Sequence, residues 1–133
     1  LAQVYGVSLG SLFEPDDDPC IIIRGTDHSP QPGNDMFYTR LSRQSHLMKM
    51  QAVRITVNPQ GTATYAHEGE EWLYVLSGKL HLAVGVEHHI LEAGDAAHFI
   101  ASVPHHFSAA VEQITEILIV ASTTNHPLLS SYL

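Results

Sequence analysis

A histidine four residues ahead of a glutamate, at the mouth of an aromatic and β-branched run, limits what this chain can fold into. In Tyr65-Ala66-His67-Glu68-Gly69-Glu70-Glu71-Trp72-Leu73-Tyr74-Val75-Leu76-Ser77-Gly78, the stretch from Glu71 to Leu76 has the composition of a β-strand. Alternation then puts Glu71, Leu73 and Val75 on one face, and Trp72, Tyr74 and Leu76 on the other. Glu71 is thereby carried into a barrel or sandwich interior, where a carboxylate is costly unless it is paired, hydrogen-bonded or bound to a metal. His67 lies an even number of residues back and faces the same way if the extended run reaches it. A third ligand is offered from far along the chain by Ser102-Val103-Pro104-His105-His106-Phe107. Alternation turns one of His105 and His106 inward and the other to the opposite side, toward solvent or an interface, without saying which is which.

Around this stretch the chain reads as all-β from Cys20 onward. Turn residues cluster at Ser29-Pro30-Gln31-Pro32-Gly33-Asn34-Asp35, with extended runs at Met36 to Leu41 and Leu47 to Val57. Asn58-Pro59-Gln60-Gly61 marks the next turn. Lys79 to Gly85 alternates leucine with polar residues, as a hairpin strand with one buried face does. His88 to Asp95 closes another hairpin, with Gly94 supplying a backbone angle that other residues dislike. Ala96 to Ile100, His105 to Ala109 and Ile114 to Ala121 continue the sheets. Strands this short, with turn signals at intervals of roughly 8–12 residues, indicate a sandwich or barrel. The single Cys20 excludes an intrachain disulfide and, beside Pro19 and Ile21, is expected to be a core residue at a strand start.

The two histidine-bearing stretches also carry a family resemblance. His67, three residues, Glu71, six residues and Gly78 resemble the later part of the first cupin motif, and Gly94-Asp95 followed by Val103-Pro104-His105 resembles the second. The 15 residues between Gly78 and Gly94 match the short spacing of small microbial cupins. The resemblance spans roughly Val53 to Ser122 and implies an all-β double-stranded β-helix, or jelly-roll barrel. Tyr65 stands where the family often has a further histidine, Ile100 and Ser102 replace its usual Pro and Gly, and Ala109 its usual Asn. His67, Glu71 and His105 are left as a two-histidine, one-carboxylate metal site, which leaves coordination positions open and suits non-heme ferrous iron; His106 is then expected on the opposite side, at the surface or an interface, unless the two histidines exchange places. On ligand type alone, iron, nickel, zinc and manganese fit equally. The phenol of Tyr65 would either hydrogen-bond a metal-bound water or ligand, or simply pack. His98 and His81 are candidates for the barrel lining. Tyr38, Arg40, Lys49 and Arg54 fall on strands before the motif. A phenol or cation at the barrel mouth suits an anionic ligand, but alternation does not say which of them faces in.

The N-terminal stretch Leu1-Ala2-Gln3-Val4-Tyr5-Gly6-Val7-Ser8-Leu9-Gly10-Ser11-Leu12-Phe13 suits short helices broken at Gly6. It resembles the last helices of the Cro/repressor-type helix-turn-helix domain; the plainer reading is an amphipathic helix packed on the barrel. The resulting organisation is a helix-turn-helix remnant at 1–13, an acidic linker at 14–19 and a cupin domain at 20–133. The linker aspartates lack the spacing of a calcium loop.

Two function classes follow. The order of segments is that of bacterial transcription regulators whose cupin domain senses a small molecule. The same features are similar to the hydroxypropylphosphonate epoxidases, iron(II) oxygenases in which the three ligands would hold iron and Tyr38 with a nearby basic residue would grip a phosphonate. Six basic against fourteen acidic residues, a net charge of −8, repels a phosphate backbone, so DNA contact is expected only through a helix-turn-helix absent from this chain. Hydrophobic content of 44% without a run of ~18 apolar residues predicts a cytoplasmic protein with no membrane partner. Trp72 and Tyr74, turned away from the metal face, predict a homodimer.

Overall fold

A computed structural model describes residues 18–33, 36–110, 112 and 114–122. The helix-turn-helix-like stretch 1–13, most of the linker and the tail after Ser122 lie outside these residues. The described chain forms nine strands and no helix: β1 (Gln31–Gly33), β2 (Met36–Arg40), β3 (Met50–Val57), β4 (Glu70–Ser77), β5 (Lys79–Val84), β6 (Glu87–Glu92), β7 (Ala96–Ile100), β8 (His105–Ala109) and β9 (Thr115–Ser122). They pair into a six-stranded sheet ordered β1-β2-β3-β9-β4-β7 and a three-stranded sheet ordered β6-β5-β8, antiparallel throughout.

Period-two alternation builds the core. In β9 every second residue from Thr115 to Ala121 is buried, and β4 buries Glu71, Leu73 and Val75 between half-exposed neighbours. Val53, Ile55 and Val57 from β3 and Ile117 and Ile119 from β9 meet Leu80, Leu82 and Phe107 from the smaller sheet, all at 0–1% exposure. Each such aliphatic side chain removed from water contributes about 2 kcal/mol. Two facing apolar sheets with strands crossing between them are therefore the all-β barrel expected from the strand pattern.

Gly78, between β4 and β5, carries the chain from one sheet to the other at φ 84°. Buried Thr115 fastens the crossing: its hydroxyl accepts from Lys79 N at 3.1 Å and donates to Lys79 O at 3.0 Å. The turn foreseen at Asn58 to Gly61 is present, with Gly61 N donating to Asn58 O at 3.1 Å. Gly94 takes the positive φ expected of it.

Two expectations need correction. Cys20 is exposed rather than a core residue. The run from Cys20 to Arg24, although apolar, joins neither sheet: a turn closed by Asp27 N donating to Arg24 O follows it at once, and β1 already flanks β2 at that end of the large sheet. Leu47 to Lys49 is likewise not strand; β3 begins at Met50, after the Ser45 hydroxyl has accepted from Leu47 N and Met48 N in a tight local turn.

Candidate metal centre

His67 precedes β4, Glu71 is its second residue and His105 opens β8. The extended segment before β4 is tied to β8 by Tyr65 and His105, which exchange both backbone hydrogen bonds at 2.8 Å, and to residue 101 by His67 N donating to Ala101 O at 3.0 Å. These ladders bring side chains 34 and 38 positions apart together: one ligand-type atom from each of His67, Glu71 and His105 lies within 4.8 Å of the others. The side chains are 4%, 0% and 0% exposed.

Glu71 Oε1 stands between the two imidazoles, 3.1 Å from His67 Nε2 and 3.7 Å from His105 Nε2. The opposite ring nitrogens face backbone carbonyls: His67 Nδ1 donates to Glu68 O at 3.2 Å and His105 Nδ1 to Val103 O at 2.8 Å. Each carbonyl holds the proton on Nδ1 and so turns Nε2 toward the centre, the outer arrangement that metal-binding histidines generally have. With Nδ1 committed, His67 Nε2 can donate to Glu71 only as the imidazolium. The bond to Glu71 accordingly raises the His67 pKa above 6.5, against the opposing effect of burial, with the Glu68 carbonyl adding to the rise. That Nε2 proton stands where a shared cation would, so the donor set fits a divalent metal that replaces it. Imidazole and carboxylate suit iron, manganese, nickel and zinc alike.

Sequence reasoning missed two neighbours. Phe99 pairs directly with Glu71 across β7 and β4, and its ring centroid lies 5.0 Å from that of His105. Gln51 continues the same row, since Glu71 pairs with Ala121 and Ala121 with Gln51. Alternation within Ala96 to Ile100 sets Phe99 opposite to His98, but only the pairing with β4 says that Phe99 is the one facing in. Gln51 needed the β3–β9 register, which no local pattern contains.

The remaining candidates separate. Tyr65 is half-buried against the core and, as the direct partner of His105, shares its face. Tyr38 pairs with Ile55 and Arg40 with Val53, so both belong to the inner face of the large sheet, whereas Arg54 pairs with Glu116 on the outer face at 2.7 Å. Tyr38 and Arg40 line a cleft of about 410 Å3 together with His28, Gln31 and Arg43. His98 and His81, expected in the barrel lining, lie outside it. His98 follows Trp72 onto the outer face, 61% exposed and bonded to Glu70, because the opposite β7 face is taken by Ala97 and Phe99. His81 lies between inward Leu80 and Leu82 on β5 and so turns out. His106 is half-buried on the outer face, as alternation requires.

Residues 53–121 match the cupin domain family Cupin_2. The chain is 29% identical over 124 residues to the HTH-type transcriptional regulator PuuR of Escherichia coli (strain K12), covering 89% of this chain and 66% of the regulator. It is 30% identical over 127 residues to (S)-2-hydroxypropylphosphonic acid epoxidase of Streptomyces wedmorensis, covering 83% of this chain and 64% of the enzyme. The chain thus spans about two thirds of the length of the curated relatives it matches. The crystal structure of iron(II) HppE in complex with substrate superimposes with a TM-score of 0.69 at 25% identity, over 90% of this chain and 71% of that one. No helix among the described residues is long and apolar enough to cross a membrane. Paired antiparallel sheets, the interior histidine–glutamate cluster and a family match across more than half of the chain agree: this protein belongs to the cupin family.

Proposed function

We propose that His67, Glu71 and His105 hold one divalent metal and that the domain binds a small anionic molecule in the cleft of Tyr38 and Arg40, serving as the sensory unit of a helix-turn-helix transcription regulator. The observation that carries this reading is the pair of carbonyl-held imidazoles turned onto one carboxylate oxygen, 3.1 and 3.7 Å away. A bound cation would supply Lewis acidity and open coordination positions. The chain's own part is to orient the ligands, keep water from two sealed side chains, and offer Tyr38 and Arg40 to an anion. DNA contact would belong to a helix-turn-helix unit, consistent with a likeness to PuuR that extends over 89% of this chain.

In a regulator, ligand occupancy must reach a second copy. The outer face of the large sheet suits a homodimer: Trp72 and Tyr74 stack at 6.0 Å, in register with Val120 and Leu118, and Met50 and Ile100 are 64% and 65% exposed at the same end. A dimer in sedimentation equilibrium, reduced to monomer by Trp72→Glu, is expected; a wild-type monomer counts against this arrangement.

The likeness to iron(II) HppE favours a second reading, a mononuclear iron oxygenase acting on a small anion such as a phosphonate. Anaerobic iron(II) loading followed by oxygen-electrode measurement with hydroxyalkylphosphonates separates the two. Oxygen uptake coupled to substrate loss establishes the enzyme, and binding without turnover supports the sensor. In either case Arg40→Ala is expected to weaken phosphonate binding about tenfold or more by calorimetry, since a charge-assisted contact is lost. Unchanged affinity would remove the cleft from the proposal.

A further inference from the structure

Three histidines that play no part in the interior centre gather on the outer face of the small sheet. Ala83 on β5 pairs directly with His88 on β6 and with His106 on β8, so a small side chain is flanked on both neighbouring strands by an imidazole. His81, two residues before Ala83, lies on the same face and reaches both. Its ring stacks on that of His88 at 5.1 Å and meets that of His106 edge-on at 6.1 Å. Together the rings cover Ala83, which is 2% exposed although its side chain faces outward.

The contact between His81 and His88 is unusual in its chemistry. His81 Nε2 and His88 Nδ1 are 3.0 Å apart, two ring nitrogens sharing one proton at the surface. Adjacent nitrogens around a tetrahedral zinc ion, with Zn–N near 2.0–2.1 Å, are separated by about 3.3 Å. The pair is therefore spaced close to the edge of such a coordination sphere. Burial, followed by the proximity of His88 and His106, lowers the affinity of His81 for a proton, which keeps a lone pair available at neutral pH.

We infer that His81, His88 and His106 form a second, surface metal site on the outer face of the small sheet, selective for imidazole-seeking ions such as zinc. Binding displaces the proton shared by His81 and His88, while a side-chain rotation of His106 completes a three-nitrogen set and leaves the fourth position to water. Nothing in this depends on the interior centre. The two sites differ in donor set, three imidazoles against two and a carboxylate, and lie on opposite faces of β8, where His105 and His106 are consecutive.

The test uses the full chain expressed without a histidine tag, stripped with chelator and titrated with zinc at pH 7.5, with bound metal counted by mass spectrometry after desalting. Wild type is expected to retain about two equivalents and His88→Ala/His106→Ala about one, while Glu71→Gln keeps the outer equivalent. Retention of the inner equivalent by the double variant also shows that it is folded. With cobalt as the probe, the difference spectrum between wild type and the double variant should show the visible bands of a low-coordinate nitrogen site. A zinc count unchanged by the double substitution overturns the inference, as does a wild-type count of one that disappears in Glu71→Gln.

Discussion

Glu71→Gln is expected to abolish the interior metal site while leaving the barrel folded. The amide keeps the shape of the side chain but removes the charge that faces His67 and His105, and a neutral amide oxygen is a poor substitute in a set whose other members are imidazoles. Anaerobic iron(II) affinity should fall at least 100-fold, about 2.7 kcal/mol. The thermal stabilisation that metal confers should vanish with it, since binding to the folded state alone stabilises by about 2.7 kcal/mol at 100 times Kd. The pH dependence has a definite sign. In the metal-free protein the His67 pKa is raised by Glu71, so their pairing contributes stability that is fully present below 6.5 and is lost as pH rises through the folded value. Metal requires the same Nε2 without its proton, so affinity runs the other way and weakens as pH falls through that value. Metal should therefore raise the melting temperature more at pH 8 than at pH 6, and Glu71→Gln should flatten both trends. A glutamine variant that still binds one iron(II) with wild-type affinity would show that the cluster is a packed polar group and nothing more.

How far the site could be read from sequence depended on whether its determinants were local. Burial of Glu71 followed from the alternation of one strand, and the burial pattern of β4 has that form. The partnership with His105 rested on a two-motif resemblance, and the physical reason for it is the short ladder joining Tyr65 to His105, which no periodicity announces. With His105 taken as the ligand, alternation placed His106 on the outer face, where it lies. The same rule applied to His81, whose neighbours Leu80 and Leu82 are the buried pair, would have turned it outward as well. His98 was harder, because Ala96 to Ile100 offers no strong contrast between its faces and only pairing with β4 distinguishes them. Cys20 to Arg24 failed for a different reason: strand propensity says a segment can extend, not that a sheet has an edge left for it. Tyr38, Arg40 and Arg54 could be divided between cleft and surface only once the register of β2 and β3 was known.

Gly78→Ala is expected to be the most damaging conservative substitution in the described barrel, although it touches neither a ligand nor the cleft. A methyl at this position would lie 2.4 Å from Thr115 Oγ1, 2.8 Å from Thr115 Cα and 2.9 Å from Ile114 O, so backbone as well as side chain must move. Relief is not cheap, because the Thr115 hydroxyl is held by both polar groups of the Lys79 backbone at 3.1 and 3.0 Å and the residue is fully buried. The left-handed backbone adds about 1–2 kcal/mol for any residue with a Cβ, and each disturbed hydrogen bond about 1 kcal/mol. A loss of roughly 3–4 kcal/mol follows, which in a domain of this size lowers the melting temperature by more than about 10 °C. Gly94→Ala separates the two causes: its φ is 94°, but nothing lies within 4 Å of the added carbon. It should lose only the conformational part, about 1–2 kcal/mol. Thermal denaturation of both variants, with chelator present so that metal binding plays no part, measures the difference directly. Equal losses would mean that the crossing from one sheet to the other depends on backbone angle alone, and that the Thr115 clamp yields without cost.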